Sequence, residues 1–147
     1  MRKDYCFIAG KNELGFKSKG EVQIARFLDR NNIAYQYEHP AAVVDRGKVR
    51  IWYPDFHLPE YGMIIEYFGV NGKKDYDEQA KHKIKVYKQN GIEGLFLTEA
   101  SFRGDWPGYI MGQMEGILKN RLDRFYNRTE DTAWNNRSYG GKDKICD

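Results

Sequence analysis

The segment Met63–Phe68 (MIIEYF) constrains the fold most, because it is a nearly continuous apolar run interrupted by one carboxylate. A short apolar run between turn residues is typical of a strand that is buried on both faces. Burying Glu66 without a partner would cost several kcal/mol. The run therefore predicts a central strand on which Glu66 needs a compensating charge. A neighbouring lysine or arginine would supply that charge, and so would a bound divalent cation.

Hydrophobic periodicity predicts the elements around this strand. Ser18 is suited to cap the first helix, and Gly91 to end the second. A short extended segment at Ala41–Val44 and a turn at Asp45–Lys48 fall between the first two strands. In chain order the pattern gives a helix, three strands, a helix, a strand and a final helix: Lys19–Asn31, Ile33–Tyr37, Val49–Leu58, Met63–Phe68, Asp75–Asn90, Leu95–Thr98 and Gly108–Tyr126.

This order predicts an α/β fold with a mixed sheet flanked by helices. Val49–Leu58 and Met63–Phe68 are separated only by a turn, which predicts a β-hairpin. Met63–Phe68 and Leu95–Thr98 are joined through a helix, which predicts parallel neighbours. The 147 residues fit one domain, predicted over 1–127, with a polar tail over 128–147.

Composition narrows the class of protein without naming a function. The apolar runs are too short to span a membrane, so we expect no membrane partner. Cys6 and Cys146 form no C-x-x-C motif, which is compatible with two free thiols in a cytoplasmic protein. The net charge of +3 does not by itself identify a nucleic-acid-binding protein.

Two acidic residues carry the clearest chemical signal. Asp55 lies on the second main strand and Glu66 on the third, and paired strands lie about 4.8 Å apart. The hairpin would therefore bring the two carboxylates close enough to share one hard cation such as Mg²⁺. The alternative is that each acid forms an ion pair with a lysine or arginine at the sheet edge.

The sequence around these acids resembles the PD-(D/E)XK nuclease superfamily. Tyr53–Gly62 (YPDFHLPEYG) is similar to the superfamily's second motif and Ile64–Gly69 (IIEYFG) to its third, while Lys19–Val22 (KGEV) resembles the first. The similarity covers roughly Phe16–Thr98. It implies a restriction-endonuclease-like αβββαβ core, here with an extra C-terminal helix, and hydrolysis of phosphodiester bonds in DNA that depends on Mg²⁺, with Mn²⁺ as a substitute.

The resemblance also implies a set of site residues. Asp55, Glu66 and the backbone carbonyl of Tyr67 would bind the metal, and Glu21 would bind it directly or through water. For Glu21 the residues leave a second interpretation open, since Ser18-x-x-Glu21 is also a capping box that closes the start of the first helix.

One position departs from the superfamily pattern. The usual lysine two residues after the third-motif acid is replaced by Phe68, which cannot stabilise charge on phosphorus. Some members carry that lysine on the following helix, and helical spacing places Lys83 at the edge of the apolar face formed by Tyr76, Ala80, Ile84 and Tyr87. Lys83 is therefore the predicted catalytic lysine, with Lys81 and Lys85 as substitutes. Lys83 could equally be a solvated lysine whose stem covers Tyr87.

Basic residues before and after Asp55 and Glu66 in the sequence are predicted to bind phosphates of the nucleic acid: Lys73, Lys74, Lys81, Lys85, Lys88 and Arg50. Two other functions remain open, a non-catalytic nucleic-acid-binding module with the same fold and a protein-interaction domain. Gly108–Tyr126 is the predicted surface of a possible homodimer, or else packs on its own sheet.

Overall fold

The computed structural model describes residues 15–69 and 74–137, with side chains from 76 to 128 in the second range. The chain divides into two compact units, Met1–Met111 and Gly112–Asp147. The described part is a mixed α/β structure with three α-helices and one short 3-10 helix, Glu99–Phe102. Its strands and α-helices are α1 (Lys19–Arg30), β1 (Gln36–Tyr37), β2 (Ala41–Asp45), β3 (Lys48–Trp52), β4 (Phe56–Leu58), β5 (Met63–Phe68), α2 (Lys74–Gln89), β6 (Gly94–Thr98) and α3 (Trp106–Arg137).

Helix α1 forms as its sequence predicts. The Ser18 hydroxyl accepts the backbone N–H of Glu21 and caps the helix start, and Asn31 follows the last turn. The face that the helix turns inward consists of apolar side chains at helical spacing, all of them buried: Ile24, Ala25, Phe27 and Leu28.

Strand β5 lies inside a four-stranded mixed sheet of order β1-β4-β5-β6. It pairs antiparallel with β4 and parallel with β6, where Glu66 is opposite Phe96. The predicted hairpin and the predicted parallel pair are therefore both confirmed. The connection through α2 makes the parallel pairing possible, because a short turn cannot join two parallel neighbours.

The prediction that Val49–Leu58 forms one strand, with only an edge or bulge at Pro54, is wrong. The segment breaks around Pro54 into β3 and β4, and β3 pairs with β2 in a separate two-stranded sheet. Proline has no N–H to donate to a ladder, so it ends one pairing and allows the chain to enter another. The predicted strand Ile33–Tyr37 likewise shortens to its last two residues, β1.

The two faces of the four-stranded sheet bear different cores. On one face Phe56 contacts three aromatic rings, those of Phe16, Tyr35 and Tyr37, at centroid distances of 5.4–5.9 Å. On the other face Ile64 of β5 joins a buried cluster of Val43, Val86 and Tyr87. Because side chains alternate along a strand, Glu66 shares the second face with Ile64.

Helix α2 holds the β2–β3 hairpin against the sheet. Val86 and Tyr87 are buried, whereas Ile84, predicted for the apolar face, is only half-buried. After the helix, Gly91 adopts φ 69° as the sequence predicts. The Asn90 side chain accepts the N–H of Val44 at 2.8 Å and donates to its carbonyl at 3.0 Å. These two bonds fix β2 at the end of α2.

Helix α3 runs beyond its predicted end at Tyr126 to Arg137. Residues 127–137 lack apolar periodicity, but they also lack glycine and proline, so the helix can continue. The rest of the predicted tail, residues 138–147, lies outside the described residues. In the part of the chain that the structure describes, no helix combines the length and apolar character needed to cross a membrane.

Candidate active site

Asp55 stands at the entry to β4, directly opposite Glu66. The β4–β5 register pairs Phe56 with Ile65, so Asp55, just before β4, and Glu66, just after Ile65, are neighbours at the end of this ladder, and the charge of Glu66 acts on Asp55. The Asp55 carboxylate accepts a hydrogen bond from the backbone N–H of Tyr67 at 2.7 Å. The backbone carbonyl of Asp55 accepts one from the N–H of Glu38 at 3.0 Å. Asp55 is thus held between β5 and the residue that follows β1.

Burial raises the pKa of Asp55 to about 7, and the negative charges of Glu66 and, less strongly, Glu21 contribute to the same shift. The N–H of Tyr67 and the ammonium of Lys83 act in the opposite direction. Two carboxylates facing each other in a partly desolvated site repel, and such an arrangement favours binding of a cation.

Glu66 is 3% exposed and has two partners from α2. The Lys83 ammonium contacts one carboxylate oxygen as an ion pair, and the Tyr87 hydroxyl lies 3.5 Å from the other. The structure therefore places Lys83, the lysine predicted from helical spacing, directly at the third-motif acid. The same contact is also the ion pair foreseen as the alternative role of Glu66.

Glu21 is 5% exposed, and its carboxylate is held by the start of its own helix. It accepts bonds from the Tyr37 hydroxyl at 2.5 Å, the Lys17 amide at 3.0 Å and the Ser18 hydroxyl at 3.0 Å. The capping-box geometry is thus present in altered form, with the carboxylate bonded to the amide of Lys17. Glu21 still acts on Asp55 through its charge.

The predicted metal ligands are brought together in part. Among the side chains that the structure describes, in 15–69 and 76–128, no three or more of His, Cys, Asp or Glu lie close enough to hold a metal ion. Asp55 and Glu66 face each other, whereas Glu21 has its own set of partners. Tyr67, predicted to offer its carbonyl, contributes its N–H to Asp55.

Sequence patterns missed Lys17 and Tyr37. The Lys17 ammonium contacts Glu38, and this contact raises the pKa of Lys17, with smaller contributions from the charges of Asp55 and Glu21. Burial raises the pKa of Tyr37, whose hydroxyl bonds to Glu21, so this phenol stays protonated. Lys17 is only four residues from Glu21, but it is not part of the capping-box pattern, and Tyr37 is 16 residues away, so the motifs select neither residue.

The predicted phosphate-binding residues divide into two groups. Lys81, Lys85 and Lys88 are exposed on α2, where with Ile84 and Gln89 they line a shallow groove of about 450 Å³. Arg50 is exposed on β3, with its Nε 3.8 Å from Asp45. Lys73 lies outside the described residues, as does the side chain of Lys74.

The raised pKa of Asp55 predicts that stability falls as pH increases. The folded state binds this proton more tightly than the unfolded state, whose carboxyl has a pKa near 3.8. The stabilisation is therefore complete below about pH 4 and is lost as pH rises through about 7. Asp55→Asn removes the penalty of ionisation. Its free energy of unfolding, relative to wild type, should rise by about 1–2 kcal/mol between pH 5 and 8.

Urea denaturation in EDTA at several pH values measures this difference. Comparing variant with wild type cancels the titration of other groups, including His57, whose pKa is lowered by burial and by His39. A difference that stays constant across the range would contradict the assignment of the pH dependence to Asp55.

No family model matches this chain, and neither a curated protein nor a solved structure matches it. The likeness to PD-(D/E)XK nucleases therefore rests on the three sequence motifs.

Proposed function

We propose that this protein is a metal-dependent endonuclease that hydrolyses phosphodiester bonds in DNA, built on a restriction-endonuclease-like core. The observation that carries the proposal is the facing pair Asp55 and Glu66, with Lys83 of α2 at the second acid. A buried acid pair of this kind is costly to a fold that does not use it. Two acids can hold a divalent ion, and a lysine beside them can stabilise the charge that develops in phosphoryl transfer.

The acid pair fits a hard divalent ion. Mg²⁺ prefers carboxylate oxygens and keeps several waters, so two protein carboxylates are enough to hold it. Asp55 and Glu66 would be its ligands, Mn²⁺ would substitute, and Glu21 would contribute through its charge. When bound, the ion would lower the pKa of a coordinated water and offset charge on a phosphate oxygen.

The chain's own residues have distinct roles in this proposal. Lys83 places a positive charge beside Glu66, where it would orient the attacking water or stabilise the charge that develops on phosphorus. The N–H of Tyr67 fixes the Asp55 carboxylate, and Tyr87 borders Glu66 from the same helix as Lys83. The exposed lysines of α2 would bind the phosphate backbone without selecting a sequence.

A second candidate function is a non-catalytic nucleic-acid-binding module. The ion pair between Lys83 and Glu66 favours it, because that pair compensates the buried carboxylate without any metal. The exposed lysines of α2 would then bind DNA, while the acids would be purely structural.

Cleavage of supercoiled plasmid separates the two candidates. We expect nicked and then linear DNA with Mg²⁺ or Mn²⁺, and intact plasmid with EDTA. One such site cuts one strand, so linear product requires two binding events or a homodimer, for which α3 offers the exposed side chains Leu122, Phe125 and Tyr126. DNA binding without cleavage under either metal would reject the nuclease and leave the binding module.

A further inference from the structure

The outer face of the β2–β3 hairpin is apolar and exposed. The register pairs Val44 with Val49 and Ala42 with Ile51, so these four side chains lie on one face. The side chains of Val44, Val49 and Ile51 are 51%, 74% and 53% exposed. Together these side chains form a small apolar patch on the surface of the hairpin.

The hairpin is held rigidly next to the candidate site. Its inner face contributes Val43 to the buried cluster, and Asp45 on that face lies 3.1 Å from His82 of α2. The next residue of α2, Lys83, contacts Glu66. An extended ligand that has one phosphate in the candidate site beside Glu66 would therefore pass close to the hairpin.

The tip and edge of the hairpin are basic. Arg46 and Gly47 have φ values of 50° and 73°, which produce a tight turn between β2 and β3. Residues 41–52 contain three cations, Arg46, Lys48 and Arg50, against one carboxylate, Asp45. An apolar face bordered by cations is complementary to a polyanion that carries its charges on the outside and apolar groups within a groove.

We propose that the β2–β3 hairpin enters the major groove of duplex DNA and contacts thymine methyl groups with its aliphatic face. The inference rests on the proposed DNA substrate. The major groove is wide enough for a two-stranded ribbon, and thymine methyls are its apolar feature. Arg46 and Lys48 at the tip would contact phosphates on the groove's rim.

A second copy of the chain fits this face less well. Two five-residue strands present roughly 17 Å by 10 Å, about 200 Å², whereas a stable interface buries about 800 Å² on each partner. The basic tips would add repulsion rather than attraction between two copies.

The test compares the triple variant Val44→Thr/Val49→Thr/Ile51→Thr with wild type. Threonine keeps the branched shape that strands favour and replaces apolar groups by hydroxyls. The control, Leu122→Thr, changes a 56% exposed aliphatic on α3. Fluorescence anisotropy in EDTA measures binding to one duplex made with thymidine and to a second with deoxyuridine, which lacks the methyl.

We expect the triple variant to bind the thymidine duplex about tenfold more weakly, and the control to bind normally. Deoxyuridine should weaken wild type severalfold and the triple variant less, because each threonine keeps only one methyl group that can contact thymine. Arg46→Gln and Lys48→Gln should each reduce the salt dependence by about one phosphate contact.

Equal binding by wild type and triple variant would overturn the inference, and so would a wild type that is indifferent to deoxyuridine. Loss of a dimer in sedimentation, with DNA binding unchanged, would make a second copy the occupant. Plasmid cleavage with Mg²⁺ is measured separately. If the wild type cleaves plasmid but binds both duplexes equally, the proposed nuclease activity is retained and the hairpin inference is rejected. If binding depends on the hairpin but no cleavage occurs, the hairpin inference is retained and the nuclease activity is rejected.

Discussion

We expect Asp55→Asn and Glu66→Gln each to reduce DNA cleavage on the order of 10³-fold or more, because each removes one of the two charges that would hold the metal. Both replacements keep the size of the side chain and an oxygen that accepts hydrogen bonds. Single-turnover cleavage of a labelled duplex at saturating Mg²⁺ measures the loss.

The stability of the two variants separates loss of the site from loss of the fold. Burial opposes the ionisation of the Asp55 carboxylate. Asp55→Asn removes that carboxylate, so it should stabilise the metal-free protein at pH 8. Glu66→Gln removes the partner of Lys83, so it should destabilise the protein. Two variants with opposite effects on stability and the same loss of activity cannot owe that loss to unfolding.

Asp105→Asn is the matched control. It makes the same carboxylate-to-amide change at the start of α3, where the Asp105 side chain accepts the N–H of Gly108 at 3.1 Å. Asparagine caps a helix as well as aspartate does, so both stability and cleavage should be retained. Full activity in either Asp55→Asn or Glu66→Gln would reject the acid pair as the catalytic site.

Local signals account for the parts of the fold that the sequence predicts. α1 has a cap and an apolar face, and β5 has an apolar run with a helix between it and β6. Each of these features is decided by neighbouring residues. The facing of Asp55 and Glu66 follows from the hairpin, which needs only a turn between two strands.

The features that the sequence does not predict depend on contacts between residues that are distant in sequence. Alternation of polar and apolar residues is the same in β3 whichever sheet it joins, so only Pro54 signals that β3 and β4 part. The bond from Tyr37 to Glu21 joins β1 to the start of α1. Helical spacing selects Lys83 from its neighbours, yet it cannot show that the ammonium reaches Glu66.

Phe68 stands where the superfamily that the sequence resembles usually has a lysine, and it belongs to the core on the second face of the sheet. Phe68 is 8% exposed, and its ring stacks on Phe96 with centroids 6.3 Å apart. Phe96 in turn stacks on Tyr87 at 6.1 Å. A lysine at position 68 would break this series of aromatic rings and bury a charge, whereas Lys83 reaches Glu66 from the partly exposed side of α2.

Lys83→Met should reduce the cleavage rate on the order of 10²–10³-fold, the usual loss for one group that stabilises a transition state. Methionine keeps the unbranched apolar stem without the charge. Lys85→Met, two residues further along α2 on an exposed position, is the control and should mainly weaken DNA binding, with a salt dependence lower by about one contact.

The contact between Lys83 and Glu66 allows a purely structural role, and Mg²⁺ titration distinguishes the two roles. A lysine that only compensates Glu66 would compete with the metal for that carboxylate. Its removal would then lower the Mg²⁺ concentration needed for half-maximal rate and leave the rate at saturation intact. A lysine that acts on the phosphate is still needed when the metal site is full, so the rate of Lys83→Met stays low at every Mg²⁺ concentration. Equal, small losses in Lys83→Met and Lys85→Met at saturating Mg²⁺ would reduce α2 to a phosphate-binding face, and Lys17, whose pKa the charge of Asp55 helps to raise, would be the next cation to test.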